Sequence, residues 1–197
     1  EWTPAAREQA SRIVADAQAD ALSLWVAWRA TERRDTALAL RLGERLAGLA
    51  PGDGLLALRL AANRLAVGDR AGEAALVRRV QQQGVIADRA LLIELGMALE
   101  RIGEPTLAEA RYREVLARDA DVVAHNNLAC LLATGPDDER RRAALQHARE
   151  AVRLAPTAAE TLDTFGWVQH LLGRDAAALA LLERAVARLP QSPSVRY

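Results

Sequence analysis

Small residues recur in this sequence at a fixed seven-residue step, and this step limits what the chain can fold into more than any other feature. The pairs are Gly166 with Gly173, Gly96 with Gly103, and Ala61 with Gly68. The first member of each pair lies in an apolar stretch, where a small side chain lets a second helix pack closely, and the second member lies where a helix has to end. Prolines at 51, 156 and 190 follow second helices at separations close to multiples of about 34 residues. The sequence therefore predicts a series of short antiparallel helix pairs.

Apolar residues recur at three- and four-residue spacing along almost the whole chain, and no stretch alternates with a period of two, which predicts an all-α fold. Thr3 and Pro4 form a typical helix start, and Gly84 is expected to be a left-handed helix C-cap. The predicted helices cover residues 4–19, 20–31, 35–49, 54–67, 70–83, 88–102, 105–118, 122–134, 138–154, 157–171 and 174–189. Gly135 and Pro136 should lengthen the loop before the helix at 138–154, because proline forbids a continuous helix there.

Charge and cysteine content exclude several classes of protein. Basic and acidic residues balance at 26 each, and every basic residue is Arg, so neither nucleic acid nor an anionic membrane is an expected partner. No uninterrupted apolar stretch is long enough to span a membrane, which argues against direct membrane insertion. The single cysteine, Cys130, excludes an intramolecular disulfide. Because the chain begins "EWTPAAR" without Met and ends "SPSVRY", we expect it to be a piece of a longer protein.

The stretch "LDTFGWVQHLLGRDAAALALLERAVARLP" resembles the tetratricopeptide repeat (TPR) superfamily, and the resemblance covers about residues 20–190. It implies a right-handed superhelix of about five repeats, at 20–53, 54–87, 88–121, 122–156 and 157–190. An extra N-terminal helix within 1–19 would precede them, and 191–197 would start a further repeat. The second repeat fits worst, because Glu73 occupies the expected small position, so a one-residue shift to Ala74 or Ala75 is expected.

A narrower resemblance concerns bacterial proteins of the cell envelope. The strings "NNLACLLA", "LDTFGWVQHLLGR" and "SPSVRY" look like the last repeats of TPR proteins from exopolysaccharide systems, including exosortase-associated lipoproteins. This resemblance favours an envelope or periplasmic location over the cytoplasm for the parent protein.

The TPR resemblance implies that the first helix of each repeat lines a concave groove. The predicted partner-binding residues are Trp25, Trp28, Arg59, Glu94, Met97, Asn126, Asn127, Cys130, Asp163, Thr164, Trp167 and His170. The Trp and Met residues would bury large areas against a ligand, although packing against neighbouring helices explains each Trp as well. The two asparagines suit hydrogen bonds to an extended peptide, or else form a polar helix start. Arg59 fits either a solvated groove edge or a ligand contact.

The ligand's chemistry is only partly constrained by these positions. TPR domains that clamp a C-terminal carboxylate use Lys, Asn and Arg at fixed groove positions, whereas only Asn127 matches that pattern here and no Lys is present. This departure rules against a carboxylate clamp. Glu94, Glu160 and Asp163 instead favour a basic or neutral ligand.

Catalytic motifs are missing from the sequence. His125, His147 and His170 are predicted on three different helices, and Cys130 lies five residues from His125, off the four-residue step that would bring them together. No metal-ligand or phosphate-binding string occurs, so no cofactor and no metal are expected. We therefore predict a non-catalytic interaction scaffold that binds a protein or peptide. The alternatives are a structural module that assembles through its convex face or ends, and polysaccharide binding by a tryptophan-lined groove.

Two further predictions concern packing. Five small residues should be buried at helix contacts, namely Gly96, Ala129, Ala144, Gly166 and Ala178. Terminal repeats need polar caps, and the helix at 4–19 could supply one through Ile13, Val14 and Ala17. The last helix has more apolar surface than its partner can cover, through Leu179, Leu181, Leu182, Val186 and Leu189. A further helix or a second copy of the chain is expected to cover it.

Overall fold

The computed structural model describes residues 2–188, and all regular secondary structure in that range is helical. The eleven helices of this range are α1 (Pro4–Ala15), α2 (Ala21–Thr31), α3 (Thr36–Leu49), α4 (Gly54–Ala66), α5 (Arg70–Gln81), α6 (Arg89–Arg101), α7 (Pro105–Leu116), α8 (Val122–Ala133), α9 (Asp138–Leu154), α10 (Ala159–Leu171) and α11 (Asp175–Val186). Each predicted helix is present. The largest difference is at α1, which ends at Ala15 and leaves Ala17 exposed rather than packed.

Aspartate side chains begin most of the helices. Asp35, Asp53 and Asp121, for example, accept hydrogen bonds from the backbone N–H groups of Leu38, Leu56 and Ala124. Such a bond satisfies one of the N–H groups that lack a partner in the first turn of a helix. Thr3 caps α1 in the same way, as predicted, at 3.2 Å from the Ala6 nitrogen.

Glycines in the left-handed region follow the ends of α4, α6 and α10. Gly68, Gly103 and Gly173 have φ values of 84°, 80° and 72°, and they are the second members of the seven-residue pairs. A side chain at these positions would be strained, which explains the second half of the pattern. Gly84 is not among the glycines with positive φ in the described range, so its prediction as a left-handed C-cap is wrong.

The described chain divides into two compact units between Ile102 and Gly103. In the first unit, which holds α1 to α6, one cluster of buried residues joins the first four helices. Its members are Ala10, Val14, Leu24, Ala27, Trp28, Leu38, Ala39, Leu42, Leu46 and Leu56. Gly43 permits close packing here, because a Cβ atom added to it would lie 3.0 Å from Leu60 and 3.1 Å from the Trp28 indole nitrogen.

Helix α1 covers the first helix pair of this unit, as predicted. Its Ala10 and Val14 are buried in the shared cluster, and Ile13 packs against it. Arg45 of α3 holds the end of α1, since its Nη1 donates to the carbonyl oxygens of Ile13, Val14 and Asp16 at 3.0, 2.9 and 2.8 Å. A cation at a helix C-terminus satisfies carbonyl groups that have no partner within the helix.

The second unit holds α7 to α11, and its α10 and α11 pack closely together. A Cβ atom on Gly166 would lie 2.8 Å from Cγ of Leu182, so a larger residue cannot occupy this position unless Leu182 or the helix that carries it moves. Ala178 beside it is 3% exposed. All five small residues predicted to be buried are buried. The loop between α8 and α9 covers 134–137 and exceeds the 172–174 loop, which confirms the prediction made from Gly135 and Pro136.

Glu73 is the exception among the small contact positions. Its side chain is 3% exposed, and its carboxylate accepts a hydrogen bond from Nε of Arg101 at 3.1 Å. Ala75 is exposed and Ala74 is half-buried, so the predicted one-residue shift is wrong. An ion pair here fills the space that a small residue fills in the other helix pairs.

The outer surface of α11 carries exposed apolar side chains. Leu179 is 59% exposed and Val186 is 41% exposed, whereas Leu181 is buried and Leu182 is half-buried. The predicted contributions of Leu189, Pro190 and residues 191–197 lie outside the described residues. Whether a further helix or a second copy covers this surface stays a prediction.

Replacing Ala178 by Leu should lower the free energy of unfolding by about 1–3 kcal/mol, because the added atoms overpack the contact with α10. Ala180→Leu on the exposed side of the same helix is the matched control, and it should change stability by less than about 0.5 kcal/mol. Urea unfolding followed by circular dichroism measures both. Equal effects of the two substitutions would show that the contact at Gly166 is not close.

Substitutions of the buried ion pair should have unequal effects. Arg101→Met leaves the Glu73 carboxylate buried without its partner and should destabilise the protein by about 1–3 kcal/mol. Glu73→Ala places the usual small residue at this contact, and Arg101 can reach water, so stability should stay within about 1 kcal/mol. Thermal melts of both variants and of the double variant check this, and a greater loss for Glu73→Ala would contradict it.

Candidate functional site

An apolar cleft lies between α2 and α4 of the first unit. It has a volume of about 480 Å³, and we name it the α2–α4 cleft. The residues that line it are Ala21, Leu22, Trp25, Trp28, Arg29, Leu46, Ala50, Asp53, Leu55, Leu56 and Arg59. Leu22, Trp25 and Leu55 are 70%, 48% and 37% exposed, so large apolar side chains here face solvent. Helix α2 is apolar nearly all round, and its packed side cannot use all of these residues.

Two tryptophans predicted for the groove have different roles. Trp25 is half-exposed, with the Arg29 guanidinium 5.9 Å from its ring centroid. Trp28 is 1% exposed and belongs to the core, so only a small part of its side chain lines the cleft. Its burial leaves little of the indole for a ligand to contact, and its role as a ligand contact stays a prediction. The indole is buried because Gly43 leaves room for it between the helices.

A second cavity, of about 770 Å³, adjoins the cleft, and we name it the arginine pocket. Its lining residues are Arg29, Ala30, Glu32, Arg33, Arg34, Arg59, Ala62, Asn63, Ala66 and Glu94. Arg29 and Arg59 line both cavities. Oε2 of Glu32 lies 2.7 Å from Nη1 of Arg29 and 4.0 Å from Nη1 of Arg59. Arginines therefore outnumber carboxylates in this pocket.

Asn63 is a residue of this site that the sequence analysis did not select. It is 6% exposed, and its Nδ2 has no hydrogen-bond partner in the described part of the chain. A buried amide without a partner is uncommon and costs free energy. The available signal was a single Asn within the apolar stretch "LLALRLAANRLA". Among the predicted residues of this unit, Arg59 and Glu94 line the pocket, and Met97 is 38% exposed on α6.

The predicted site residues of the second unit lie on α8 and α10. Cys130 and Thr164 are brought together, with Sγ and Oγ1 3.4 Å apart, and Thr164 is 6% exposed. Thr164 is therefore closer to a core residue than to a ligand contact. Asn126, Asn127 and Asp163 are half-buried, and Oδ1 of Asn126 has no hydrogen-bond partner within residues 2–188.

Trp167 and His170 form an exposed pair on α10. Trp167 is 39% exposed, and its ring centroid lies 5.9 Å from that of His170. His170 Nδ1 is 2.7 Å from a carboxylate oxygen of Asp175, which orients the imidazole. Whether any of the predicted residues of either unit contacts a partner stays a prediction.

A further cavity in the second unit, of about 690 Å³, lies beside α7 and the α8–α9 loop, where no site was predicted. Its residues include Arg113, Arg140 and Glu109. Both arginines bind the Glu109 carboxylate, at 2.7 and 2.8 Å. Two arginines share one carboxylate here, as Arg29 and Arg59 share Glu32, but the lining of this cavity includes no aromatic side chain.

His125 and His147 form a contact that the sequence analysis missed. Their Nδ1 atoms are 2.9 Å apart across α8 and α9, so one nitrogen donates and the other accepts. Burial lowers the pKa of His125, despite Glu150 and Asp121 nearby. Burial, the facing His125 and Arg113 together lower the pKa of His147, against Glu109 and Glu150. The fold thus favours the neutral form of both rings.

Across residues 2–188, no group of three or more His, Cys, Asp or Glu side chains is arranged to hold a metal ion. Within the same range, no helix has the length and apolar character needed to cross a membrane.

Several solved structures have a similar fold. YrrB, described as a TPR protein with an unusual peptide-binding site, aligns with a TM-score of 0.62 and 14% identity over 94% of this chain and 95% of its own. The MamA RS-1 ArsTM double mutant aligns with a TM-score of 0.67 and 18% identity, over 88% of this chain and 97% of its own. A chain of the APC/C hetero-tetramer Cut9-Hcn1 aligns with a TM-score of 0.68 and 16% identity, over 98% of this chain and 38% of its own. No protein-family model and no curated protein sequence matches the chain. The chain has the TPR fold, and the narrower resemblance to exosortase-associated proteins stays a prediction.

The histidine pair should make stability depend on pH. A histidine whose folded-state pKa is lowered binds its proton more readily when unfolded, so stability is complete above the unfolded pKa of about 6.5 and falls as the pH drops below it. We expect the urea midpoint to decrease between pH 7.5 and pH 5.0. The double substitution His125→Gln and His147→Gln should reduce this decrease, whereas His170→Gln on the exposed surface should not. An identical pH dependence in all three proteins would contradict the assignment.

Proposed function

We propose that this chain is a non-catalytic interaction scaffold within a larger bacterial protein. It binds a peptide or helix of a partner protein along the first helices of its repeats. The observation that carries the proposal is the α2–α4 cleft, which exposes Leu22, Trp25 and Leu55 beside a group of charged residues. Apolar and aromatic anchors in a concave surface, with polar groups at the rim, are typical of peptide-binding sites.

Packed repeats give such a site a particular advantage. The helices that carry it are held by buried contacts such as those of Leu24 and Trp28, each at most 1% exposed. A receptor surface that is already ordered loses little conformational entropy when a ligand binds. The fold shared with YrrB, which is described as having a peptide-binding site, is in accord with this role. Trp167 on α10 is a second exposed aromatic anchor for the same function.

A second candidate function is assembly. In this alternative the chain acts as a structural module of an envelope or exopolysaccharide secretion system, through self-association or contacts of its outer helices. The observation that favours it is the exposed apolar surface of α11 at Leu179 and Val186. Self-association through this helix would cover that surface.

One pair of substitutions separates the two functions. The full chain, immobilised, is used to select ligands from a displayed peptide library, and sedimentation velocity reports its oligomeric state. Trp25→Ala should weaken the binding of the selected peptides by about 2 kcal/mol, or about thirtyfold in affinity, because it removes the main exposed anchor. Leu179→Ala removes an exposed leucine of α11 and should leave peptide binding unchanged.

The opposite result supports assembly. If no peptide is selected, and the chain sediments as an oligomer that Leu179→Ala dissociates, the scaffold proposal is wrong and the assembly role replaces it. Trp167→Ala tests the second unit in the same assay. Trp28 is unsuitable for this purpose, because replacing a core residue would destabilise the fold itself.

A further inference from the structure

The α2–α4 cleft and the arginine pocket differ in chemistry along one direction. The α2–α4 cleft involves the early turns of α2 and α4, at Leu22, Trp25 and Leu55. The arginine pocket involves their last turns and the residues that follow α2, including Arg33 and Arg34. Because Arg29 and Arg59 line both, the surface passes continuously from apolar to basic.

The basic end has more positive than negative charge. Arg29, Arg33, Arg34 and Arg59 line it, against the carboxylates of Glu32 and Glu94. Glu32 is shared between Arg29 and Arg59, so it offsets only part of their charge. Guanidinium groups bind carboxylates through charge-assisted hydrogen bonds. The basic or neutral ligand expected from Glu94 in the sequence therefore does not suit this pocket.

Asn63 adds a neutral hydrogen-bond donor to the same end. Its Nδ2 lacks a partner among the described residues while the side chain is 6% exposed, at the wall of the arginine pocket. Because Nδ2 itself is covered, the amide has to turn towards the pocket before a ligand carbonyl or carboxylate accepts a hydrogen bond from it, and that bond removes the cost of leaving the nitrogen without a partner.

The spacing of the two ends limits the ligand. Trp25 lies six residues before Thr31, the last residue of α2, which corresponds to about 9 Å at about 1.5 Å per helical residue, and Arg33 follows two residues later in the turn. An extended peptide, at about 3.3 Å per residue, reaches the end of α2 with about three residues and the turn beyond it with about four.

We infer that the first unit binds a peptide segment with large apolar side chains in the α2–α4 cleft and with acidic side chains, about four residues away, in the arginine pocket. This inference rests on the proposed scaffold function and adds the chemical class and polarity of the ligand. The charge of the pocket selects carboxylates, and the exposed Trp25 supplies the apolar contact.

The test uses three fluorescein-labelled ten-residue peptides and the full chain. The first peptide has two leucines followed four residues later by two glutamates, the second has lysines in place of the glutamates, and the third has serines in place of the leucines. Fluorescence anisotropy should show the first peptide binding about tenfold more tightly than either of the others. Its affinity should decrease as salt is added.

Charge reversal in the protein gives the sharper result. The double substitution Arg33→Glu and Arg59→Glu should reverse the preference, so that the lysine peptide binds more tightly than the glutamate peptide. The double substitution Arg70→Glu and Arg79→Glu, at exposed arginines of α5 outside both cavities, is the control matched in charge and should preserve the original preference. Asn63→Leu should weaken the binding of the glutamate peptide. Circular dichroism should show that this variant stays folded.

The failures can be told apart. If the glutamate and lysine peptides bind equally well, and Trp25→Ala abolishes the binding of both, the inferred charge preference is wrong. The scaffold function then still holds. Preference for the lysine peptide would overturn the inference as well. If none of the three peptides binds, the inferred ligand class is wrong, and library selection then decides separately whether the scaffold function holds.

Discussion

Close approach of paired helices at small residues is the constraint on which the rest of this structure depends. On Gly166, even a methyl group would come within 2.8 Å of Leu182, and on Gly43 it would come within 3.1 Å of the Trp28 indole. Such contacts place two helices close enough for their leucines to interdigitate, and packing of this density makes each pair intolerant of added volume. Where a carboxylate occupies the contact instead, at Glu73, an arginine accompanies it. The contact therefore accepts either little volume or a paired charge.

The candidate site is a consequence of this packing. Helix α2 is apolar on nearly every side, and its partners cover only the side that carries Leu24, Ala27 and Trp28. Leu22 and Trp25 are left facing solvent, at 70% and 48% exposure, beside arginines that belong to later turns. Exposed apolar side chains grouped in a cleft are costly for an isolated protein and are typical of surfaces that bind another molecule.

Similarity of fold does not decide the ligand. The solved structures with a similar fold share 14 to 18% identity with this chain, so the similarity extends to the arrangement of helices and not to the side chains that would contact a partner. Function must therefore be argued from the surface. In the first unit that surface combines aromatic, aliphatic and guanidinium groups, whereas the cavity of the second unit that holds Arg113, Arg140 and Glu109 has no aromatic side chain in its lining.

The sequence by itself determined the helices, because the signals that begin and end a helix are local. Apolar spacing, Pro136, and the left-handed glycines Gly103 and Gly173 act within a few residues, and the predicted small contacts were all buried. Only the tertiary structure decided which side chains of one helix meet those of another. Trp28 became a core residue because Gly43 leaves room for it, and His125 met His147 across 22 residues of sequence. Periodicity gives the direction of a side chain, but what lies opposite depends on the distance and angle between two packed helices.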